Sequence, residues 1–445
     1  MNAREGALRV LYEIEVDKGY SNIALGKEIK RNNYNSRDRG FLTELVYGVL
    51  ENLIRLDYVI SQFSRIKIKK IDTYTLILLR ISTYQILFLD KIPPSAAVNE
   101  SVNLSKKYCK DSSGFINGVL RSMLRGKEEI KLPNKKKDFI GYLSVTYSHP
   151  KWMVEEFLKS FSAEFTEALL KANNEKPDLN VRVNTLKTSV DDAVLSLRNS
   201  GFQVEKNQFI EESLSIKGDS NLFELEALKS GDIYIQDFGS MLVGRIVEPK
   251  ENDLVIDICS APGGKTTHMA QLMNNKGTII ARDVYDHKLE LINKNAKRLG
   301  VKIINTEKFN GKDIDKGLLS KADKVLVDAP CSGLGIIRRK PEIKYRKQQD
   351  DFKHITLLQL NILKNAALYV KPGGALVYST CSIDPRENIG VAEKFLKESP
   401  DYQLVNLGED YKSLIPGDRL AATIQLYPNI HKTDGFFIAK FIKKT

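Results

Sequence analysis

A chain of 445 residues, 42% of them apolar, is long enough for two or three packed domains. Its 68 Lys and Arg outnumber 56 Asp and Glu, and the excess is uneven: residues 1–137 hold 25 basic and 15 acidic side chains, the rest 43 and 41, which suggests a polyanion-binding first third joined to a nearly neutral working domain. The absence of an apolar run of about 18 residues, the charged start Met1–Val10 and four scattered cysteines (Cys109, Cys259, Cys331, Cys381) argue against a membrane span, a secretion signal, a disulfide framework and a zinc site, with the cytoplasm as the expected compartment.

Apolar residues at helical spacing predict helices over Ala7–Val16, Phe41–Ile60 and Leu76–Leu89. Pro93 and Pro94 end one helix and admit the next at Ser95, and Asp111-Ser-Ser supplies a polar cap for Phe115–Leu124. The first 130 residues therefore read as an all-α domain. Lys131–Lys137 mixes proline with like charges and reads as a linker. A helical stretch over Trp152–Ala172, a strand Leu179–Asn184, a helix Val190–Asn199 and a strand Phe202–Glu205 make a small α+β module of ferredoxin or RRM-like kind within residues 131–235. From residue 236 to 445 strand and helix alternate: Leu254–Ile258, a helix from Lys265, Thr278–Ala281, a helix to Leu299, Lys302–Thr306, Lys324–Val327, a helix to Tyr369 and Ala375–Tyr378. Such alternation implies parallel strands with crossover helices, and Gly435–Ile442 is placed to pair as an antiparallel last strand.

Cys331 and Cys381 each follow a predicted strand, so in a parallel sheet both reach the carboxyl edge, where open α/β sheets bind ligands. Two thiols then share one pocket. The first βα turn runs through Asp257, Ile258, Cys259, Ser260, Ala261, Pro262, Gly263, Gly264 and Lys265, a glycine-bearing loop that opens a helix and offers free N–H groups to a polar ligand. Gly264-Lys265-Thr266 is like the end of a nucleotide P-loop, but that pattern needs a glycine where Cys259 stands, and the dinucleotide fingerprint is missing too. Asp283, at the end of the next strand, stands where a carboxylate accepts hydrogen bonds from ribose hydroxyls; the same residue alone would also serve as a helix cap.

Cys259-Ser-Ala-Pro-Gly-Gly-Lys265, Asp328-Ala-Pro-Cys-Ser-Gly333 and Ser379-Thr-Cys-Ser382, in this order, resemble the motifs of the Sun/Nop2 (RsmB-like) family of RNA cytosine-5 methyltransferases. Residues 1–130 are similar to the antitermination factor NusB, notably in Arg37–Leu50, Val98–Val102 and Gly114–Arg121. The resemblance implies S-adenosylmethionine as cofactor and a seven-stranded Rossmann-like sheet with a reversed final strand. Cofactor contacts fall to Cys259 through Lys265, Asp283, Asp328 and Asn310, the last standing where the family usually has an acid facing adenine. A NusB-like domain on this catalytic domain points to the 16S rRNA branch, with protein-free or partly assembled rRNA as substrate and a ribosomal protein as a further contact of the NusB-like surface. A tRNA substrate and a non-enzymatic antitermination factor are the alternatives.

Carbon 5 of cytosine is a poor nucleophile, so a thiolate must first add to carbon 6. The resemblance gives that role to Cys381 and the release step, in which the carbon 5 proton leaves, to Cys331. Asp328 is expected to assist at N3, which as an acid calls for a proton on its carboxyl, while Lys265 orients that carboxylate and favours the Cys381 thiolate. The basic run Ile336–Pro341, just after Cys331, is expected to meet RNA phosphates, and Gln236–Ser240 to shape the pocket.

Overall fold

The computed structural model describes residues 2–218, 225–407, 409–414 and 422–445. Two compact units emerge: Met1–Glu175 with Ile337–Lys347, and Lys176–Ile336 with Gln348–Thr445.

The first unit is helical. Thr73–Phe88 is its centre, buried continuously from Thr75 to Ile86, and Ala3–Val16, Ser36–Glu51, Leu53–Phe63, Pro94–Tyr108 and Ser113–Arg125 bring their apolar sides to one core with it. The long helix expected over 41–60 breaks at Asn52, which closes one helix and opens the next. Pro94 takes the first helical position, where its missing N–H costs nothing. The expected cap at Asp111-Ser-Ser differs: a 3-10 turn, Lys110–Ser112, leads into the helix, and Ser112 makes no side-chain capping bond.

Residues 131–137 are an exposed turn, yet the compact unit does not end there. Helices Phe139–Thr146, Lys151–Ser160 and Ala163–Ala172 stay with it, the Ile54 N–H donating to Ser148 Oγ at 2.8 Å. The break in compactness falls after Glu175.

Ile337–Lys347, a strap that leaves the C-terminal half of the sequence, is also part of this unit. The fully buried Lys344 donates to Glu51 O at 2.8 Å and Asn174 Oδ1 at 3.0 Å, and Tyr345 donates to Leu50 O at 2.8 Å. Arg338 is buried as well. Of the run expected to face RNA phosphates, Ile337 and Arg338 are buried, while Arg339 and Lys340 are half-buried.

The second unit carries two sheets. β1 (Leu179–Val183), β2 (Gln203–Lys206), β3 (Ser213–Lys217) and β4 (Ile233–Ile235), with helices Val190–Asn199 and Glu226–Ser230, run in the order β2-β3-β1-β4, all antiparallel. This is the βαββαβ ferredoxin-like arrangement. Val181, Val183, Leu197, Leu214, Ile216 and Ile233 form its core.

The larger sheet comprises β5 (Leu254–Ile258), β6 (Thr278–Asp283), β7 (Ile304–Lys308), β8 (Ala322–Asp328), β9 (Val370–Thr380), β10 (Tyr402–Leu404), β11 (Thr423–Leu426) and β12 (Phe436–Lys443). The order is β10-β12-β9-β8-β5-β6-β7, with β11 paired to β12. β5 to β9 are mutually parallel, and β12 inserts antiparallel beside β9. The reversed strand is as the family resemblance implies; β11 adds an eighth strand among the described residues. Helices cover both faces over cores built on Val325, Leu376 and Phe441 on one side and Val255, Leu326 and Val377 on the other. No described helix is long and apolar enough to cross a membrane.

Candidate active site

Because β5 to β9 are parallel, their carboxyl ends open on one edge, and the candidate residues lie at or just past these ends. After β5 the chain turns sharply: Cys259 has φ +64° and Gly263 φ +94°, the latter capping Gly264–Leu272. A side chain on Gly263 would also meet Ile292 Cα at 3.2 Å, so close helix packing and backbone conformation both demand glycine. Ser260 ties the loop to β6 through N–H and Oγ bonds of 3.0 Å to Arg282 O, Ala261 packs against Ala281 and Ile292, and Asn295 Nδ2 holds Pro262 O at 2.9 Å. The first-turn N–H groups of this helix lack intrahelical partners, which suits a polar ligand.

Beneath this loop Asp257 is wholly buried. Oδ2 accepts from Thr266 Oγ1 at 2.6 Å, Oδ1 has no partner among the described residues, and burial pushes the carboxyl up to about 7. Asp283 ends β6 with Oδ1 accepting from the Val284 N–H at 2.8 Å and Lys288 Nζ 3.5 Å away. Asn310 follows β7; its Oδ1 accepts from the Lys312 N–H at 3.1 Å, so the oxygen expected to meet an adenine amino group is already engaged by its own loop. Burial, with the carboxylates of Asp283, Asp328 and Asp257, pushes the Cys259 thiol up to about 12, which keeps it protonated.

Asp328 and Ser379 are register partners on β8 and β9. Asp328 accepts from Lys265 Nζ at 2.7 Å and from Ser379 Oγ at 2.8 Å, and Lys265 Nζ lies 4.9 Å from the centre of the Phe436 ring. Burial pulls the Lys265 ammonium down, but Asp328 and Cys381 overcompensate and its pKa ends above the usual value. The two sulfurs, Cys331 Sγ and Cys381 Sγ, are 3.3 Å apart. The hydrogen bond to Cys381, then burial, holds the Cys331 thiol well above the ordinary range. One pair of thiols with a lysine–aspartate pair beside it is suited to addition–elimination on an unsaturated ring: one sulfur adds while the other still carries its proton.

Three family models match the chain in order: NusB over residues 1–125, the ferredoxin-like domain of RsmF/B-like methyltransferases over 149–222, and 16S rRNA methyltransferase RsmB/F over 245–442. A probable ribosomal RNA small subunit methyltransferase B of Bacillus subtilis (strain 168) is 38% identical over 451 residues, covering 100% of this chain and 99% of its own. The chain belongs to the RsmB/F family. Among solved structures, PH0851 superposes on this rRNA methyltransferase with a TM-score of 0.85 at 29% identity, over 100% of this chain and 99% of its own. NSun6 from Pyrococcus horikoshii, solved with SFG, gives 0.60 at 26% identity over 66% of this chain and 98% of its own.

Two buried groups of this methyltransferase escape sequence reasoning. Arg182, on β1 of the small module, donates to Gln236 Oε1, to Gly264 O at 2.8 Å and to Thr267 Oγ1 at 3.0 Å, tying the module to the loop after β5. Gln236, expected to shape the pocket, accepts from this arginine and donates to Ser240 Oγ at 3.1 Å. Glu387, six residues after Cys381, is the second. An arginine in a strand and an acid in a turn read as surface charges, and no periodicity marks them as interior.

Proposed function

We propose that this methyltransferase forms 5-methylcytosine in 16S rRNA, with S-adenosylmethionine as methyl donor and a covalent bond between Cys381 and cytosine carbon 6. The observation that carries the reading is the 3.3 Å approach of Cys331 and Cys381 beside the Lys265–Asp328 pair. A donor of this kind fits the residues present: Asp283 suits ribose hydroxyls, and the Asp257 oxygen left without a partner among the described residues suits a polar group of the donor. NSun6, solved with SFG, an S-adenosylmethionine analogue, supports the same cofactor. Bound there, S-adenosylmethionine supplies the electrophilic methyl group.

The Cys381 thiolate attacks carbon 6, and the electrons of the 5,6 double bond move as N3 takes a proton from the Asp328–Lys265 pair. Carbon 5, now nucleophilic, accepts the methyl group. Once the neighbouring sulfur's charge is consumed, Cys331 gives its proton to solvent, then removes the proton from carbon 5. The S–C6 bond breaks, Cys381 leaves as thiolate, and N3 returns its proton. The net release is one proton. The target base must leave its stack to reach the pocket, so an unpaired cytosine of protein-free or partly assembled rRNA, in the cytoplasm, is the favoured substrate, gripped by the NusB-like unit and the ferredoxin-like module. A ribosomal protein on the NusB-like surface is part of the same proposal.

The test is transfer of radiolabelled methyl to protein-free 16S rRNA and to bulk tRNA, with Cys381→Ala in parallel. Label on one rRNA cytosine, abolished by the substitution, is expected. Label on tRNA alone overturns the substrate, and full turnover by Cys381→Ala overturns the mechanism.

A further inference from the structure

Glu387 lies in the turn between Cys381 and the helix Ile389–Glu398 and is 0% exposed. Four donors converge on its two oxygens. Oε2 accepts from the Ser332 N–H at 2.8 Å and from Gln359 Nε2 at 3.0 Å; Oε1 accepts from Ser382 Oγ at 2.7 Å and from the Ser332 hydroxyl. Ser332 follows Cys331 and Ser382 follows Cys381, so a single carboxylate grips both thiol loops one residue beyond each sulfur. Gln359 extends the grip to Pro330 O, 3.0 Å away, on the other side of Cys331.

Burying a carboxylate is costly unless its lone pairs are used. Here they are, and the choice of residue follows: a glutamine in the same place would turn an NH2 group toward two of the four donors. Asn388 reinforces the Cys381 side, its Nδ2 donating to Ser382 O at 2.9 Å and its Oδ1 accepting from Thr380 Oγ1 at 2.6 Å.

We propose that Glu387 is a positioning residue for the two-thiol reaction: by holding both cysteine loops from one carboxylate it sets the spacing of Cys331 and Cys381 and keeps their roles apart. The inference rests on the reading of these thiols as nucleophile and proton acceptor. Its charge works in the same sense. After the hydrogen bond to Cys381 and burial, Glu387 is among the groups that hold the Cys331 thiol up.

The experiment compares full-length wild type, Glu387→Gln, Ser332→Ala and Ser382→Ala on rRNA carrying cytosine or 5-fluorocytosine. The fluorinated base has no carbon 5 proton to lose, so it traps the adduct and reads the steps before release; ordinary cytosine reads the whole cycle. Expected for Glu387→Gln is trapping about 10- to 100-fold slower, the effect of thiols displaced by about an ångström, with unchanged S-adenosylmethionine affinity in calorimetry. Ser382→Ala should slow trapping, and Ser332→Ala should trap normally but accumulate adduct on ordinary cytosine. A merely structural residue would lower the folded fraction without this split. Wild-type trapping and turnover by folded Glu387→Gln overturns the proposal; if that variant does not fold, wild-type behaviour of both serine variants does so. Full turnover by Cys381→Ala instead removes the two-thiol reading itself, so the two failures are distinguishable.

Discussion

Replacing Arg182 by methionine tests whether the ferredoxin-like module holds the loop after β5, the proposed cofactor loop. Arg182 is 1% exposed and makes three hydrogen bonds, to Gln236, Gly264 O and Thr267. Each bond from a charged donor is worth about 1.5–3 kcal/mol, so the gross loss is roughly 4.5 kcal/mol at the lower end. Against this, its hydrogen-bond partners are uncharged, and burial lowers its pKa from 12.5 to about 10. That shift corresponds to about 3.4 kcal/mol regained when the charge is removed. The net cost is about 1 kcal/mol. If it falls wholly on the loop that Gly264 opens, the binding-competent population drops by up to about 6-fold, and the apparent affinity for S-adenosylmethionine drops with it. Isothermal calorimetry on the full chain measures this directly, with hydrogen exchange over Gly264–Leu272 as the structural readout. Arg182→Lys, whose single ammonium lacks the guanidinium fork, should fall between. Wild-type affinity and wild-type exchange protection in Arg182→Met would refute the coupling.

Gly335→Ala should cost about 10- to 100-fold in methyl transfer with unchanged circular dichroism, since the Gly335 N–H donates to Cys381 O at 3.0 Å and an added Cβ would lie 2.0 Å from Gly435 O; wild-type turnover would show that this backbone contact does not shape the site. Acid should weaken the second unit in two stages. Burial, partly offset by Glu212, holds His268 at about 4 against 6.5, so the unfolded chain gains a proton that the folded chain refuses, and stability falls by about 3 kcal/mol as pH drops from 6.5 through 4. Glu212, raised by burial but lowered further by His268 and Arg245 to about 2, loses its contribution as pH falls from 4.5 through 2. Urea titrations of wild type and His268→Gln from pH 7 to 4 check the first stage, and parallel pH profiles would contradict it. Cys259, held at about 12 against 9.0, should carry roughly 1,000-fold less thiolate than a free cysteine. Peptide-mapped iodoacetamide labelling at pH 8 should leave it unmodified when a free thiol is consumed, and equal rates would refute its assigned environment.

What the amino-acid order determined by itself was whatever depends on local pattern. Strand β5 has the expected bounds, Leu254–Ile258, because a short apolar run between Asp253 and the glycine loop admits little else. The helix Val190–Asn199 is likewise as expected, its Ser189 cap and apolar spacing both being local signals. The loop after β5 and the two cysteine motifs were legible because each is contiguous and follows a strand. β3, β4 and β11 were not, being three to five residues long and held by neighbours distant in sequence. Tertiary structure alone decided that Cys331 and Cys381, 50 positions apart, touch, since parallel pairing of β8 with β9 sets Asp328 against Ser379. It also decided that the basic run after Cys331 packs as a strap in the helical unit, and that Arg182 and Glu387 are interior. A charged side chain looks the same in sequence whether water or four hydrogen-bond donors surround it; the difference lies in partners that only the folded chain brings together.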